Sequence, residues 1–328
     1  MTNTEKCFQV LDDSSVLLSE TEDVPYLEAL AETGENLFQH AVLQPVRSEV
    51  VKKLEDLYSN IDIEQLKAEE IRKAFQLAVL KGMKAATQPN HEMTPDAVSL
   101  FIGYLFNKLS SERDSVTILD PAVGSGNLLT AVLNSAQTKV DQSYAVDADE
   151  LLLKLAYVSS NLQKHATQFF HQDSIQPLLI DPVDCIVCDL PIGYYPHEAI
   201  AAGYDVRAKS GRSFAHHLLI EQSLRHLKDG GYAIFLIPNG LFESDQAGAL
   251  KTFISKTAAI QGLLQLPLTM FKKEHYAKSI MILQKHGENA HPPSQTLLVH
   301  LPSFSNERAM QSIVQQIDDW FRKEKPHL

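Results

Sequence analysis

The stretch Asp120-Pro-Ala-Val-Gly-Ser-Gly-Asn-Leu-Leu129 puts an acid, then Gly-x-Gly, then a helix-like run behind the strand-like Val116-Thr-Ile-Leu119. Glycines allow a tight turn and let a ligand approach bare backbone, and the opening of a helix presents unpaired N–H groups. The acid decides which ligand suits the loop. Asp120 ahead of the glycines repels a pyrophosphate, and the spacing is not the G-x-G-x-x-G of dinucleotide binders. Three more acids close strand-like runs. Asp147 ends Tyr144-Ala-Val-Asp147, about 20 residues after the last loop glycine, where a carboxylate can take both hydroxyls of a ribose. Asp149 competes for that role but is better placed as the cap of the next helix. Asp173, in His171-Gln-Asp173-Ser174, is placed to accept a hydrogen bond from an exocyclic amine. Asp189 opens Asp189-Leu-Pro-Ile-Gly-Tyr-Tyr-Pro196, an acceptor followed by two aromatic rings.

Strands are predicted over 115–119, 143–147, 168–172, 183–188, 231–237, 259–266 and 277–284, with helical patterns over 127–135, 149–163, 213–228 and 245–257. This alternation predicts a mostly parallel sheet with helices on both faces, whose ligands bind at the carboxyl edge. Only about ten residues separate the last two strands, too few for a crossover helix, so the final strand should run antiparallel. Thr94-Pro95-Asp96 starts a helix with Thr94 at the N-cap, and Val98, Phe101, Ile102, Leu105 and Phe106 share one face. The first 90 residues read as helices, with Tyr26–Leu37 and Ile61–Leu80 the clearest; Gln88-Pro-Asn-His91 marks a boundary. Near the end, Met310, Ile313, Val314, Ile317, Trp320 and Phe321 line one face of an amphipathic helix.

The chain of 328 residues is 44% hydrophobic, enough for a sizeable core. No apolar run reaches the roughly 18–20 residues a bilayer span requires, and no signal peptide is visible. Three cysteines point to a reducing compartment, hence the cytoplasm. Cys185 and Cys188 fall on a strand, which sends them to opposite faces, and no second pair completes a metal site, so none is expected. The net charge is -12, against an unaided nucleic-acid binder. Residues 1–90 hold 9 basic and 16 acidic side chains, a solvated helical surface or a protein-docking face. Arg207, Lys209 and Arg212 cluster in one loop that can meet phosphates. His216 and His217 are expected to pack or cap a helix rather than act as bases.

The Asp-Pro-x-x-Gly-Ser-Gly loop resembles motif I of S-adenosylmethionine (SAM) dependent methyltransferases, and the Asp189 stretch resembles motif IV of amino-methyltransferases, usually Asp/Asn/Ser-Pro-Pro-Tyr/Phe. Glu92-Met-Thr-Pro95, Leu227-Lys-Asp-Gly-Gly through Pro238-Asn-Gly-Leu-Phe242, Leu264-Gln-Leu-Pro267 and Ser279-Ile-Met-Ile-Leu283 follow in order as in N6-adenine DNA methylases. The resemblance covers roughly 91–285, is similar to the modification subunits of type I restriction systems, and the motif IV variant is similar to the YtxK-like group. It implies an α/β fold: a Rossmann-like, seven-stranded class I methyltransferase sheet with its last strand antiparallel, in a domain spanning 91–328, behind a small N-terminal helical domain, 1–90. It implies SAM as cofactor. Asp120 would face its cationic end and Thr94 its carboxylate. Ala122, Gly124, Ser125, Gly126, Asn127 and Leu128 would line the loop. Asp147 and Ala148 would meet the ribose, Asp173 and Ser174 the adenine, and Asp189 would lie beside the methyl.

For transfer, Asp189 and Pro191 would hold the amine protons and Tyr194 or Tyr195 would stack the extruded base. The chain departs from the pattern at Leu190, in place of the first Pro, and at Ile192, in place of the stacking aromatic. The expected activity is methylation of N6 of adenine in DNA. RNA or a protein amide is the alternative acceptor, and a SAM-binding protein that no longer transfers is the alternative role. About 40 residues follow the last predicted strand, too few for a separate target-recognition domain, so a protein partner is expected to read the target.

Overall fold

The computed structural model describes residues 1–85 and 93–326. The expected boundary at residue 90, the Gln88–His91 loop and Glu92 lie outside them. Thr2 and Glu5 form a capping box: the Glu5 N–H donates to Thr2 Oγ1 at 3.2 Å and the Thr2 N–H to Glu5 Oε2 at 2.7 Å. They start α1 (Asn3–Glu22), followed by α2 (Tyr26–Gln39), α3 (Ser48–Tyr58) and α4 (Ala68–Ala85). The helix expected from Ile61 is interrupted. Asp62 turns its carboxylate onto the Glu64 N–H and the Gln65 side chain, capping a short 3-10 turn, so α4 begins only at Ala68.

Then come α5 (Asp96–Ser110), β1 (Ser115–Asp120), α6 (Asn127–Ser135), β2 (Lys139–Asp147), α7 (Glu150–Leu162), β3 (Thr167–His171) and β4 (Val183–Asp189). The remainder holds α8 (Glu198–Ala201), α9 (Ala215–Arg225), β5 (Leu227–Pro238), α10 (Ala247–Thr257), β6 (Ala258–Gln265), β7 (Lys278–Lys285), β8 (Leu297–His300) and α11 (Glu307–Glu324). Helix α5 starts one residue later than the Thr94 cap predicts, the Pro95 carbonyl accepting the first helical bonds from Val98 and Ser99.

The sheet has the order β3-β2-β1-β4-β5-β7-β6-β8. β1 pairs in parallel with β2 and β4, and β4 with β5; β7 runs antiparallel to both β5 and β6. The α/β class and the reversed seventh strand are therefore as expected, and the ten-residue link does return the chain antiparallel. An eighth strand was not expected: β8, four residues long, adds in parallel to β6.

Contact clustering divides the chain into two units. The first comprises Met1–Leu100, Val123–Ser135 and Asp147–His171. Its core joins Leu11, Leu30, Ala31, Ile71, Phe75 and Ala78 of the N-terminal helices to Leu155, Val158 and Leu162 of α7. The second comprises Phe101–Ala122, Ala136–Val146 and Gln172–Leu328. Its core is built from strands covered on both faces: Ile186, Val187 and Cys188 of β4, Ile234 and Phe235 of β5, and Ile280 to Leu283 of β7 are all buried. On α11, Ile317 and Phe321 are buried, while the other apolar positions of that face are half-covered. No described helix is long and apolar enough to cross a membrane.

Candidate active site

In the first unit the Gly-Ser-Gly loop turns between a strand end and α6. Gly124 has φ 54° and Gly126 φ 83°, left-handed conformations that side chains rarely adopt. A Cβ at Gly126 would lie 3.0 Å from Ala156 Cβ on α7, so the second glycine also permits close packing. Nothing lies within 4 Å of a Cβ built on Gly124, so that side of the loop is open to a ligand. Asp147 holds the loop. Its Oδ2 accepts from the Gly124 N–H at 2.7 Å and its Oδ1 from the Asp149 N–H at 2.9 Å. Burial raises the Asp147 carboxyl above its usual range, these backbone hydrogen bonds only partly offsetting it. Asp149 is a helix cap, as expected, accepting from the Leu152 N–H at 2.9 Å. Ala148 follows Asp147, and its carbonyl lies 3.1 Å from His171 Nε2.

Asn127, the first residue of α6, is buried. Its Nδ2 donates to the Thr94 carbonyl at 2.9 Å, bringing two predicted cofactor residues together, and its Oδ1 accepts from Arg72 Nη1 at 2.7 Å. Burial works against the Glu69 carboxyl, but Arg72 holds it below its usual range through hydrogen bonds and charge. Arg72, Phe75, Met93, Ser125, Asn127 and Thr130 are among the residues that line a small recess. Leu128 is buried on α6.

In the second unit Asp120 is buried at the end of β1 and its Oδ1 accepts from the Ala122 N–H at 3.1 Å. Ser174 Oγ donates to the Pro121 carbonyl at 2.5 Å. Asp173 Oδ1 accepts from the Ile175 N–H, and Oδ2 accepts from the Tyr195 hydroxyl. Tyr195 is thereby turned inward and is only 5% exposed, while burial and the Asp173 bond push its hydroxyl pKa up. Tyr194 behaves oppositely: it is 60% exposed and stacks on Phe214, with ring centroids 4.8 Å apart and planes 15° apart. The segment is pinned by the Ala215 N–H on the Gly193 carbonyl and the Tyr195 N–H on the Ser213 carbonyl. Gln246 Oε1 accepts from the Phe214 N–H.

Asp189 ends β4, and its Oδ1 accepts from Lys278 Nζ at 2.6 Å. Leu190 explains one departure from the motif: its N–H donates to the Leu236 carbonyl at 3.2 Å, a ladder bond that proline cannot make. Pro191 and Ile192 are exposed. Arg207, Lys209 and Arg212 are exposed on a loop whose start is anchored by Glu221, which accepts from the Asp205 and Val206 N–H groups.

His216 and His217 are buried in the aromatic cluster beside Phe214, as packing rather than capping groups; α9 has no side-chain cap. Burial lowers their pKa values to about 3 and about 4, so both are neutral near pH 7. Cys185 and Cys188 are buried free thiols, Cys185 pushed up to about 12 by burial. Among the described residues no His, Cys, Asp and Glu cluster could hold a metal.

Sequence reasoning did not single out Arg72, Phe214 or Lys278. Arg72 meets Asn127 across 55 positions and Lys278 meets Asp189 across 89, separations that no local motif reveals.

Comparison with known proteins shows the fold and the family. A protein from Bacillus subtilis (strain 168), uncharacterized protein YtxK, is 48% identical over 320 residues, 97% of either chain. The crystal structure of a candidate class I SAM-dependent methyltransferase from Listeria monocytogenes is 42% identical and superposes with a TM-score of 0.90, covering 97% of this chain and 99% of that one. A type I restriction-modification methyltransferase subunit from Streptococcus thermophilus shares the fold at TM-score 0.67 and 15% identity, over 95% of this chain and 74% of that one. Residues 5–83 match the YtxK N-terminal helical domain. The fold is that of a class I SAM-dependent methyltransferase. Because the match to the N-6 DNA methylase family runs over residues 83–326, well beyond half of the sequence, the chain belongs to that family.

Proposed function

We propose that this protein transfers the methyl group of SAM to a planar nitrogen, with N6 of adenine in DNA as the acceptor. SAM is the cofactor. The observation that carries the proposed acceptor is Asp189 at the end of β4, followed within a few residues by the exposed, stacked ring of Tyr194. An exocyclic amine is a poor nucleophile because its lone pair is delocalised into the ring. A fixed carboxylate and a neighbouring backbone carbonyl that hold its two protons localise that lone pair. When bound, SAM supplies a methyl on an already activated sulfonium, so the protein's task is mainly alignment.

In this reading Asp120 and Thr94 face the amino-acid end of the cofactor, Ala122, Gly124, Ser125, Gly126, Asn127 and Leu128 shape its loop, and Asp147 with Ala148 takes the ribose. Asp173 and Ser174 take the adenine; the Tyr195 hydroxyl orients Asp173 rather than stacking a base. Asp189 and Pro191 hold the amine, Lys278 fixes the Asp189 carboxylate through its 2.6 Å contact, and Tyr194 is the stacking ring. Arg207, Lys209 and Arg212 would meet phosphates. A protein partner would supply the rest of the target reading, because the net charge of -12 disfavours DNA binding alone. The site of action would be the cytoplasm.

A second reading has three features in its favour. Leu190, Ile192 and the ion pair on Asp189 all alter the acceptor side, as in a SAM-binding protein that has lost transfer. A tritiated-methyl screen against unmethylated DNA, RNA and cell lysate, beside calorimetry with SAM and NAD, tests both. Label in adenine of DNA supports the proposal; label in RNA or protein moves the acceptor; SAM binding without any labelled acceptor favours the second reading.

A further inference from the structure

We propose that Arg72 of α4 is a positioning residue for the amino-acid end of the cofactor. It would act through the Asn127 amide and the Thr94 backbone. The inference rests on reading the Gly124–Asn127 loop as the SAM site. Arg72 is 1% exposed although it carries a full charge. Its Nε and Nη2 donate to the two Glu69 oxygens, each at 2.7 Å, Nη2 also donates to Asp96, and Nη1 donates to Asn127 Oδ1 at 2.7 Å. Glu69 in turn accepts from Asn134 Nδ2, near the far end of α6, at 3.3 Å.

A buried ion cluster is a poor way merely to glue helices together, since apolar side chains of similar volume do that as well or better. What the guanidinium adds is direction. An asparagine amide can face either way, and a group that only donates on one side, with one that only accepts on the other, settles which end is which. Arg72 offers N–H groups alone, so Asn127 must turn its oxygen there and its NH₂ toward the Thr94 carbonyl. A flipped amide would oppose two carbonyl oxygens and leave the guanidinium facing an NH₂ group. Arg72 thus sets the state of the residue that opens α6, and it shares a recess with Asn127, Ser125 and Met93.

The test is calorimetric titration of Arg72→Met, Arg72→Gln and Arg72→Lys with three probes: SAM, S-adenosylhomocysteine, and 5′-methylthioadenosine, which lacks the amino-acid end. Circular dichroism and melting temperature establish that each variant is folded. Arg72→Met should weaken SAM and S-adenosylhomocysteine by about 10- to 100-fold, as expected for a lost charge-assisted hydrogen bond. It should leave methylthioadenosine within about threefold, and Arg72→Lys should recover part of the loss. If Arg72→Met does not fold, Arg72→Gln, which keeps a donor but no charge, is read by the same split. A folded variant that binds all three probes like the natural protein overturns the proposal. So does an equal loss for all three, which marks a purely structural tie. A natural protein that binds no SAM overturns the cofactor reading itself, and this proposal with it.

Discussion

The Gly124–Asn127 loop and the Asp189 loop differ in how much of their chemistry the protein has already settled. Around the first, Asn127 and the Thr94 carbonyl are held by buried partners and Asp147 by backbone N–H groups before any ligand arrives. Around the second, Ile192 and Tyr194 are exposed, as are Arg207, Lys209 and Arg212 farther along the chain. A small ligand that is always the same rewards a site whose groups are fixed in advance, because less ordering is lost on binding. A large partner that must be admitted, read and released requires accessible groups. The contrast is what a methyl donor and a macromolecular acceptor would each select for.

The sharpest way to break this contrast is Asp189→Ala. Transfer should fall by roughly 100-fold or more, the scale of removing one preorganised polar group from a transition state, while SAM affinity stays within about tenfold. Parallel loss of transfer and SAM binding would erase the division between the two loops.

Asp147→Ala should act on the other side, weakening SAM by about 1.5–3 kcal/mol with transfer largely restored at saturating SAM. Its pH dependence sharpens the point. Burial raises the Asp147 carboxyl, so on acidification it takes up a proton earlier than an exposed aspartate does. A protonated carboxyl loses acceptor capacity, so SAM affinity should drop through that range, and Asp147→Asn should bind weakly with the pH dependence gone. An unchanged pH profile in Asp147→Asn would assign the titration elsewhere.

The buried histidines probe what supports the Tyr194–Phe214 stack. Their folded pKa values lie below the unfolded value near 6.5, so their contribution is complete above that value and is lost as pH falls toward about 3 and about 4. At about pH 5 each should cost up to about 2 kcal/mol of stability. Chemical denaturation at neutral pH and at about pH 5 measures this, and His216→Phe should lose its share of the difference. The smallest effect is expected at Tyr194. Tyr194→Ala should lower kcat/KM for a nucleic-acid acceptor by about 5- to 20-fold, the lower end of a lost base stack. Stability should move by no more than about 0.5 kcal/mol, because the ring is mostly exposed. No kinetic change in Tyr194→Ala would remove it from the acceptor site.

Much of this was legible in sequence where a single segment carries the signal. Helix α6 runs over the residues its pattern predicts, the strand ends at Asp120, Asp147 and Asp189 fall at or within a residue of expectation, and Asp149 caps as its position suggests. Within the first 90 residues, two helices were not picked out individually, for different reasons. α1 opens on a capping box in plain view, Thr2 and Glu5, but its Asp- and Ser-rich middle masks the period. α3 is strongly charged and buries only Leu54. β8, four residues at an edge, is too short to carry a pattern. The side-chain roles that needed the fold were those set across distance: which tyrosine points outward, which cation meets Asp189, and what holds Asn127. A one-dimensional pattern says that Tyr194 and Tyr195 are neighbours; only the Asp173 and Phe214 contacts make them opposites.

The Arg72–Asn127 bond also joins two stretches that match different family models. Arg72 lies in the stretch recognised as the YtxK helical domain, and Asn127 in the stretch recognised as the methylase. A graft that replaced either stretch alone would strand a buried guanidinium or a buried amide, at a cost of about 1–3 kcal/mol or more for an unmatched polar group. The two segments are therefore poorly suited to being exchanged independently, and lineages that carry both should change these positions together or not at all.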